Sequence, residues 1–312
     1  MMKTRMRMAM IAATTLIGTA ALEAEIVIPA PRVFPESITA SKTGDLYVGS
    51  AGDGSVWRAR PGQPQATLFL DPAKTGMHGM LGVYADDRGG KLWACQRPGA
   101  AEAPEARDRA SAVRTFDLKT GASIATYPMP NGAKDVCNDF AIARDGTVYI
   151  AETATGIVYR IARGASAIDM WLADDRLKGA DGIAMDGDDA LLVASVITGR
   201  AFRIAIGKDT HAAATIELTP SRPLAHPDGV RALGGHRFLV TENGADGGVA
   251  IGTLAGNRLD IRKLDGGQGG TTSAVAVGGT GWAVVAKLGY LRDPALRDKD
   301  PGVFSIYSFP LK

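Results

Sequence analysis

Cys137-Asn138-Asp139-Phe140-Ala141-Ile142-Ala143-Arg144-Asp145-Gly146-Thr147-Val148-Tyr149-Ile150-Ala151-Glu152, continued after a turn by Gly156-Ile157-Val158-Tyr159-Arg160-Ile161, decides the fold. Short runs rich in β-branched and aromatic residues read as strands. Asp145-Gly146 between the first two runs supplies the positive backbone angles of a tight hairpin. The stretch is therefore an antiparallel meander, too small to bury its own faces. It needs neighbours of the same kind, and the chain provides them.

The same unit opens at Glu36, with Ile38-Thr39-Ala40, Leu46-Tyr47-Val48-Gly49 and Gly54-Ser55-Val56-Trp57-Arg58. It recurs at Leu81 (Val83-Tyr84-Ala85, Lys91-Leu92-Trp93-Ala94), at Asp181 (Ile183-Ala184-Met185, Leu191-Leu192-Val193-Ala194), at Asp228 (Val230-Arg231-Ala232, Phe238-Leu239-Val240) and at Thr272 (Ala274-Val275-Ala276, Trp282-Ala283-Val284). Together with Asn138, the starts lie 45, 57, 43, 47 and 44 residues apart. Repeats of about 40–50 residues with several short strands each are the pattern of propeller blades. The long interval carries an insertion around Pro98 to Ala110, read as a polar loop or short helix. The sequence thus predicts an all-β, six-bladed β-propeller. Ile26-Val27-Ile28 precedes the first unit and has no blade of its own; it is expected to be the outermost strand of the last blade, closing the ring.

Lys3, Arg5 and Arg7 precede an apolar run from Met8 to Ala21. That is the form of a signal peptide, and the run is shorter than the roughly 20 residues a membrane span requires. Residues 1–24 are expected to be a signal peptide and 25–312 the propeller, in a periplasmic or secreted protein. The formal charge is +2, and removing Lys3, Arg5 and Arg7 leaves −1, so nucleic acid is not an expected partner. No membrane association is expected after signal cleavage, and the protein is expected to be a monomer. Cys95 and Cys137 are the only cysteines. Antiparallel neighbours place the end of blade two's second strand and the start of blade three's first strand on one face. A disulfide and a pair of free thiols both remain open.

Innermost propeller strands start near the central axis, so residues at matching positions converge at one mouth of the tunnel. Across the six units these are Glu36, Leu81, Asn138, Asp181, Asp228 and Thr272. Carboxylates gathered away from water repel one another unless protonated or compensated by a cation. Oxygen donors without Cys or His suit a hard cation: calcium first, with magnesium or manganese as the other candidates. Glu36, Asn138, Asp181 and Asp228 are the expected metal ligands. Asp53-Gly54, Asp145-Gly146 and Asp186-Gly187 fall between strands and read as turns, whereas Asp181-Gly182 and Asp228-Gly229 open their blades.

Pro35-Glu36, Asn138-Asp139, Asp181-Gly182-Ile183-Ala184 and Pro227-Asp228-Gly229-Val230 resemble the senescence-marker-protein and gluconolactonase (regucalcin-like) family along the mature chain. The resemblance implies a six-bladed propeller with a divalent cation, usually calcium, at the tunnel mouth. It implies that Glu36, Asp181 and Asp228 hold the ion and that Asn138 binds the ion or the substrate. The chain departs from the family where Glu36-Ser37-Ile38 replaces Glu-Gly-Pro, where Asp181 replaces Asn, and where Val136 replaces an Arg two positions before the Asn.

The resemblance implies calcium-dependent hydrolysis of lactone-type esters, for which Asp228 is the expected general base and Asn138 and His78 the expected substrate contacts. His226 is a further candidate, although a surface loop is the plainer place for either histidine. Glu152 and Glu242 end second strands, as supporting groups or as solvated ones. There is no Gly-x-Ser-x-Gly elbow, zinc spacing or phosphate loop. The alternative is a non-catalytic exported propeller with a structural calcium, binding a small ligand or a protein partner.

Overall fold

The computed structural model describes residues 24–97, 111–207, 209, 211–264 and 266–312. The segment read as a signal peptide, up to residue 23, and the insertion after Arg97 lie outside the described residues. Six antiparallel sheets form the six blades. Their innermost strands are Pro35–Ala40, Met80–Asp86, Cys137–Ile142, Ala180–Asp186, Pro227–Gly234 and Thr271–Val277. Blades one to five then run outward in chain order, as blade four shows with Ala190–Ser195, Ala201–Ile206 and Ala212–Glu217. Blade five also carries Thr219–Pro220, which joins its edge in parallel with Arg258 and Leu259.

Blade six confirms the expected closure. Thr271–Val277, Thr280–Val285 and Phe304–Pro310 come from the C-terminal end, and the outermost strand is Glu25–Ile28. Glu25 pairs with Tyr307 and Ile28 with Phe304. Ile26 and Ile28 are buried here beside Trp282, Val284 and Ile306, and Phe34 meets the Phe304 ring edge-on. The two chain ends thus share one apolar core, and the ring has no open seam.

Each blade packs both faces on its neighbours, so the inner strands are buried throughout rather than alternating; Ala190–Ser195 and Val148–Glu152 have no exposed residue. The outermost strands meet water. Ser123–Pro128 and Ala212–Glu217 bury nothing fully.

All six innermost strands break register at the same place. The ladder skips between Pro35 and Ser37, Met80 and Val83, Cys137 and Phe140, Ala180 and Ile183, Pro227 and Val230, and Thr271 and Ser273. The skipped positions contain Glu36, Leu81, Asn138, Asp181, Asp228 and Thr272. A bulge re-aims a side chain away from the ladder, and here it lets Glu36, Asn138, Asp181 and Asp228 converge. The glycine after the bulged residue serves close packing. A Cβ on Gly182 would lie 2.2 Å from the Asp228 carbonyl oxygen, and one on Gly82 2.1 Å from that of Asn138.

Cys95 and Cys137 are joined in a disulfide, with Cα atoms 5.3 Å apart, both fully buried. The bond ties blade two to the strand that carries Asn138. The loop it closes spans 42 positions, for which chain entropy gives about 4 kcal/mol. Replacing both cysteines with serine is expected to lower unfolding free energy by that order in a denaturant titration. A loss below about 1 kcal/mol would show that the reduced chain is already constrained there.

Candidate metal centre at the tunnel mouth

Glu36, Asp181 and Asp228 each bring a carboxylate oxygen to within 4.8 Å of the others, and all three are buried. This is the only such group of His, Cys, Asp or Glu side chains among the described residues. Asn138 fixes the cluster from blade three. Its Nδ2 donates to Asp181 Oδ2 at 2.9 Å and to Thr153 Oγ1 at 2.9 Å, while Thr153 Oγ1 donates to the Ala180 carbonyl at 2.8 Å. Both amide hydrogens are then in use, and Oδ1 keeps its lone pairs for a cation or a hydrogen-bond donor. Asn243 Nδ2 donates to Asp228 Oδ2 at 3.0 Å. Glu36 Oε2 and Thr272 Oγ1 are buried with no hydrogen-bond partner.

The electrostatics fit a missing positive charge. Burial, and next the charges of Asp181 and Asp139, push the Glu36 carboxyl well above its usual range. Burial and then Asp181 and Glu36 do the same to Asp228. Asp181 is pushed up to about 7, by burial first and by Asp139 second. A divalent cation can take the place of protons on these carboxyls, satisfying Glu36 Oε2 and offsetting the repulsion at once. Buried carboxylates, a neutral amide oxygen and the Thr272 hydroxyl form an all-oxygen donor set of the kind hard cations take. Leu81, the sixth position, instead packs into the core beside Trp93 and Cys95.

His78 lies in the loop before blade two's inner strand, half-buried, with its backbone against Gly54 of blade one. It is not part of the carboxylate group. His226 is exposed, and its Nδ1 is 3.2 Å from the Val196 carbonyl. Glu152 and Glu242 are buried and organise turns. Glu152 accepts from the Val136, Ala154 and Thr155 N–H groups, and Glu242 from the Ala225 N–H and the Arg222 guanidinium.

The sequence reading passed over the pair just beneath the cluster. Arg231 reaches from blade five to blade three, with Nη1 2.5 Å from Asp139 Oδ2. Its Nη2 donates to the Val83 carbonyl at 3.2 Å in blade two. The arginine thus ties blade five to blades two and three below the mouth. The signal was a charged residue inside the apolar run Val230-Arg231-Ala232-Leu233, on a strand expected to line the axis.

No protein-family model matches the sequence, and no curated protein matches it either. Solved structures do match. A calcium-binding protein, regucalcin, from Agrobacterium tumefaciens aligns with TM-score 0.64 and 15% identity over 91% of this chain and 92% of that one. A gluconolactonase from Xanthomonas campestris aligns with TM-score 0.62 and 14% identity over 92% and 98%. Virginiamycin B lyase from Staphylococcus aureus aligns with TM-score 0.59 and 15% identity over 93% and 99%. What is shared at such identities is the six-bladed fold. These proteins carry different activities on it, so the fold selects none of them.

Proposed function

We propose that this chain is a divalent-cation-dependent hydrolase of lactone-type esters, gluconolactonase-like, with calcium as the preferred ion. The observation that carries the reading is the convergence of three buried carboxylates, one with an unpartnered oxygen, at the tunnel mouth. Glu36, Asp181 and Asp228 would hold the ion, with Asn138 Oδ1 as a neutral ligand or a substrate contact. When bound, the ion polarises the ester carbonyl and stabilises negative charge on its oxygen.

The protein's own groups do the rest. Asp228 is oriented by Asn243, which occupies one carboxylate oxygen and leaves the other for a water molecule. As the water oxygen bonds to the carbonyl carbon, Asp228 takes its proton. The carbon–oxygen bond of the ring then breaks, and the proton passes to the departing alkoxide. Asn138 holds Asp181 in place. Arg231 and Asp139 tie blades five and three together beneath the cluster. A small neutral or charged ester is the substrate class; His78, in the adjoining loop, is assigned to its outer end. The leader expected at the N-terminus would make the protein periplasmic or secreted.

A second reading rests on Asp181. A third carboxylate on the ion strengthens its binding but reduces its pull on a carbonyl, which favours a ligand-binding propeller with a structural calcium. The test is hydrolysis of a lactone panel by the purified protein, after chelation and after calcium return. Calcium-restored turnover is expected. Calcium binding without turnover on any lactone would leave the binding-protein reading in its place.

A further inference from the structure

Two arginines beside the mouth have no hydrogen-bond or ion-pair partner for the guanidinium among the described residues. Gln96 pairs with Met80, so Arg97 lies one step beyond the ladder, opposite Gly79, and its N–H donates to the Gly79 carbonyl at 3.1 Å. The side chain is half-buried and lies along Gly79, where an added Cβ would meet Arg97 Cγ at 3.1 Å. Arg292 ends the short helix Gly289–Arg292, in the loop that leaves blade six after Val285, which pairs with Thr271 at the mouth. That loop is pinned. Arg32 Nη2 donates to the Tyr290 carbonyl at 3.1 Å, and Lys287 Nζ donates to the Pro301 and Val303 carbonyls at 2.8 and 2.9 Å. Among the described residues neither the Arg97 nor the Arg292 guanidinium has a hydrogen bond or an ion pair.

Both charges act on the carboxylate cluster: Arg292 on Glu36 and Asp181, Arg97 on Glu36. Burial, and next the like charge of Arg292, pull the Arg97 guanidinium below its usual range. A partly desolvated guanidinium near a second one is unfavourable unless an anion joins them. The cluster cannot fully serve as that anion once it is loaded. Three carboxylates around a divalent ion keep a single negative charge, and the two arginines turn the sign of the mouth to positive. Guanidinium groups also match the planar fork of an oxyanion better than any other side chain.

We propose that Arg97 and Arg292 form an anion-recognition rim, so that the site takes a ligand bearing a carboxylate or phosphate. Resting on the hydrolase reading, this makes the substrate an anionic lactone or ester rather than a neutral sugar lactone. The two arginines are specificity residues and stay outside the bond-breaking step.

The experiment is calorimetric titration of the calcium-loaded full chain with succinate, methylphosphonate and neutral succinamide. The wild type is compared with Arg97→Gln/Arg292→Gln and with Arg97→Lys/Arg292→Lys. The glutamine pair is expected to weaken the anionic probe at least tenfold while tightening calcium severalfold, because two positive charges have left the mouth. Damage to the fold would weaken both instead. The lysine pair is expected to keep most of the anion affinity, and the stronger of the two anions identifies the source chemistry. Equal binding of succinate and succinamide by the wild type, or unchanged anion binding in the glutamine pair, would overturn the assignment. Turnover separates the two readings. Anion binding without hydrolysis supports the rim and removes the hydrolase. Neutral lactones turned over as well as carboxylated ones, in wild type and glutamine pair alike, remove the rim and keep the hydrolase.

Discussion

Calcium is expected to raise the melting temperature by an amount that grows with pH, from almost nothing near pH 4.5 to about 10 °C at pH 8. The reason lies in Asp181, whose carboxyl moves from an ordinary 3.8 to about 7 in the folded, cation-free protein. Glu36 and Asp228 move in the same direction. A carboxyl with a raised folded pKa binds its proton more tightly in the native state than in the unfolded one. Its contribution to cation-free stability is therefore present at low pH and is lost as pH rises from about 4 to about 7. For Asp181 alone that loss is about 4 kcal/mol, at about 1.4 kcal/mol per pH unit. Calcium supplies the positive charge that protons no longer supply, so its stabilisation appears over the same window. Asp45, Asp174 and Glu242 are held below the usual carboxylate range by arginine partners and work in the opposite sense, losing stability in acid. They are present with and without calcium, so the calcium increment isolates the cluster. Thermal melts with calcium and with chelator at several pH values measure it. An increment that does not change between pH 4.5 and 8 would show that the three carboxylates do not hold the ion.

The ring was legible because every blade repeats the same inner half. A buried apolar run, a glycine-containing turn and a second buried run are all strong local signals, and in four of the six blades an Asx or Glu stands at the bulge. The outermost strands were not legible, and their burial explains it. Ser123–Pro128 and Ala212–Glu217 face water and carry no fixed alternation, so only backbone pairing to the third strand defines them. The N-terminal strand was an exception, because Ile26 and Ile28 are buried at every second position and the last blade needed an edge.

At the site, position alone separated the two meanings of Asp-Gly. Asp145 caps a turn, where its Oδ1 accepts from the Thr147 N–H at 2.8 Å. Asp181 sits on a bulge and points at the axis. A contact between blades three and five, such as Asp139 with Arg231, depends on how the ring closes across its diameter, and no local pattern encodes that. The disulfide stayed undecided for a similar reason. Which blade faces bring Cys95 and Cys137 to 5.3 Å is a property of the register.

Asp228→Asn is expected to lower calcium-dependent lactone hydrolysis by about a thousandfold, within the range for loss of a general base. The amide is nearly the same shape, and its oxygen can still accept from Asn243 Nδ2, so the mouth should keep its geometry. What changes is charge. Without calcium, burial and the charges of Asp181 and Glu36 raise the Asp228 carboxyl, and burial and Asp181 raise that of Glu36. Removing one charge relieves that repulsion, so the cation-free variant should be more stable than the wild type at pH 7.5. Its calcium increment should also be smaller, because one ligand charge is gone. Lost activity, a firmer cation-free fold and a weaker calcium response are three readouts with different causes. A misfolded variant would give the first without the second. A variant that kept hydrolysis within tenfold of the wild type at saturating calcium would assign Asp228 to holding the ion alone, and the proton would have to leave the attacking water by another route. Glu36 could then take it, since its Oε2 is buried with no partner at all.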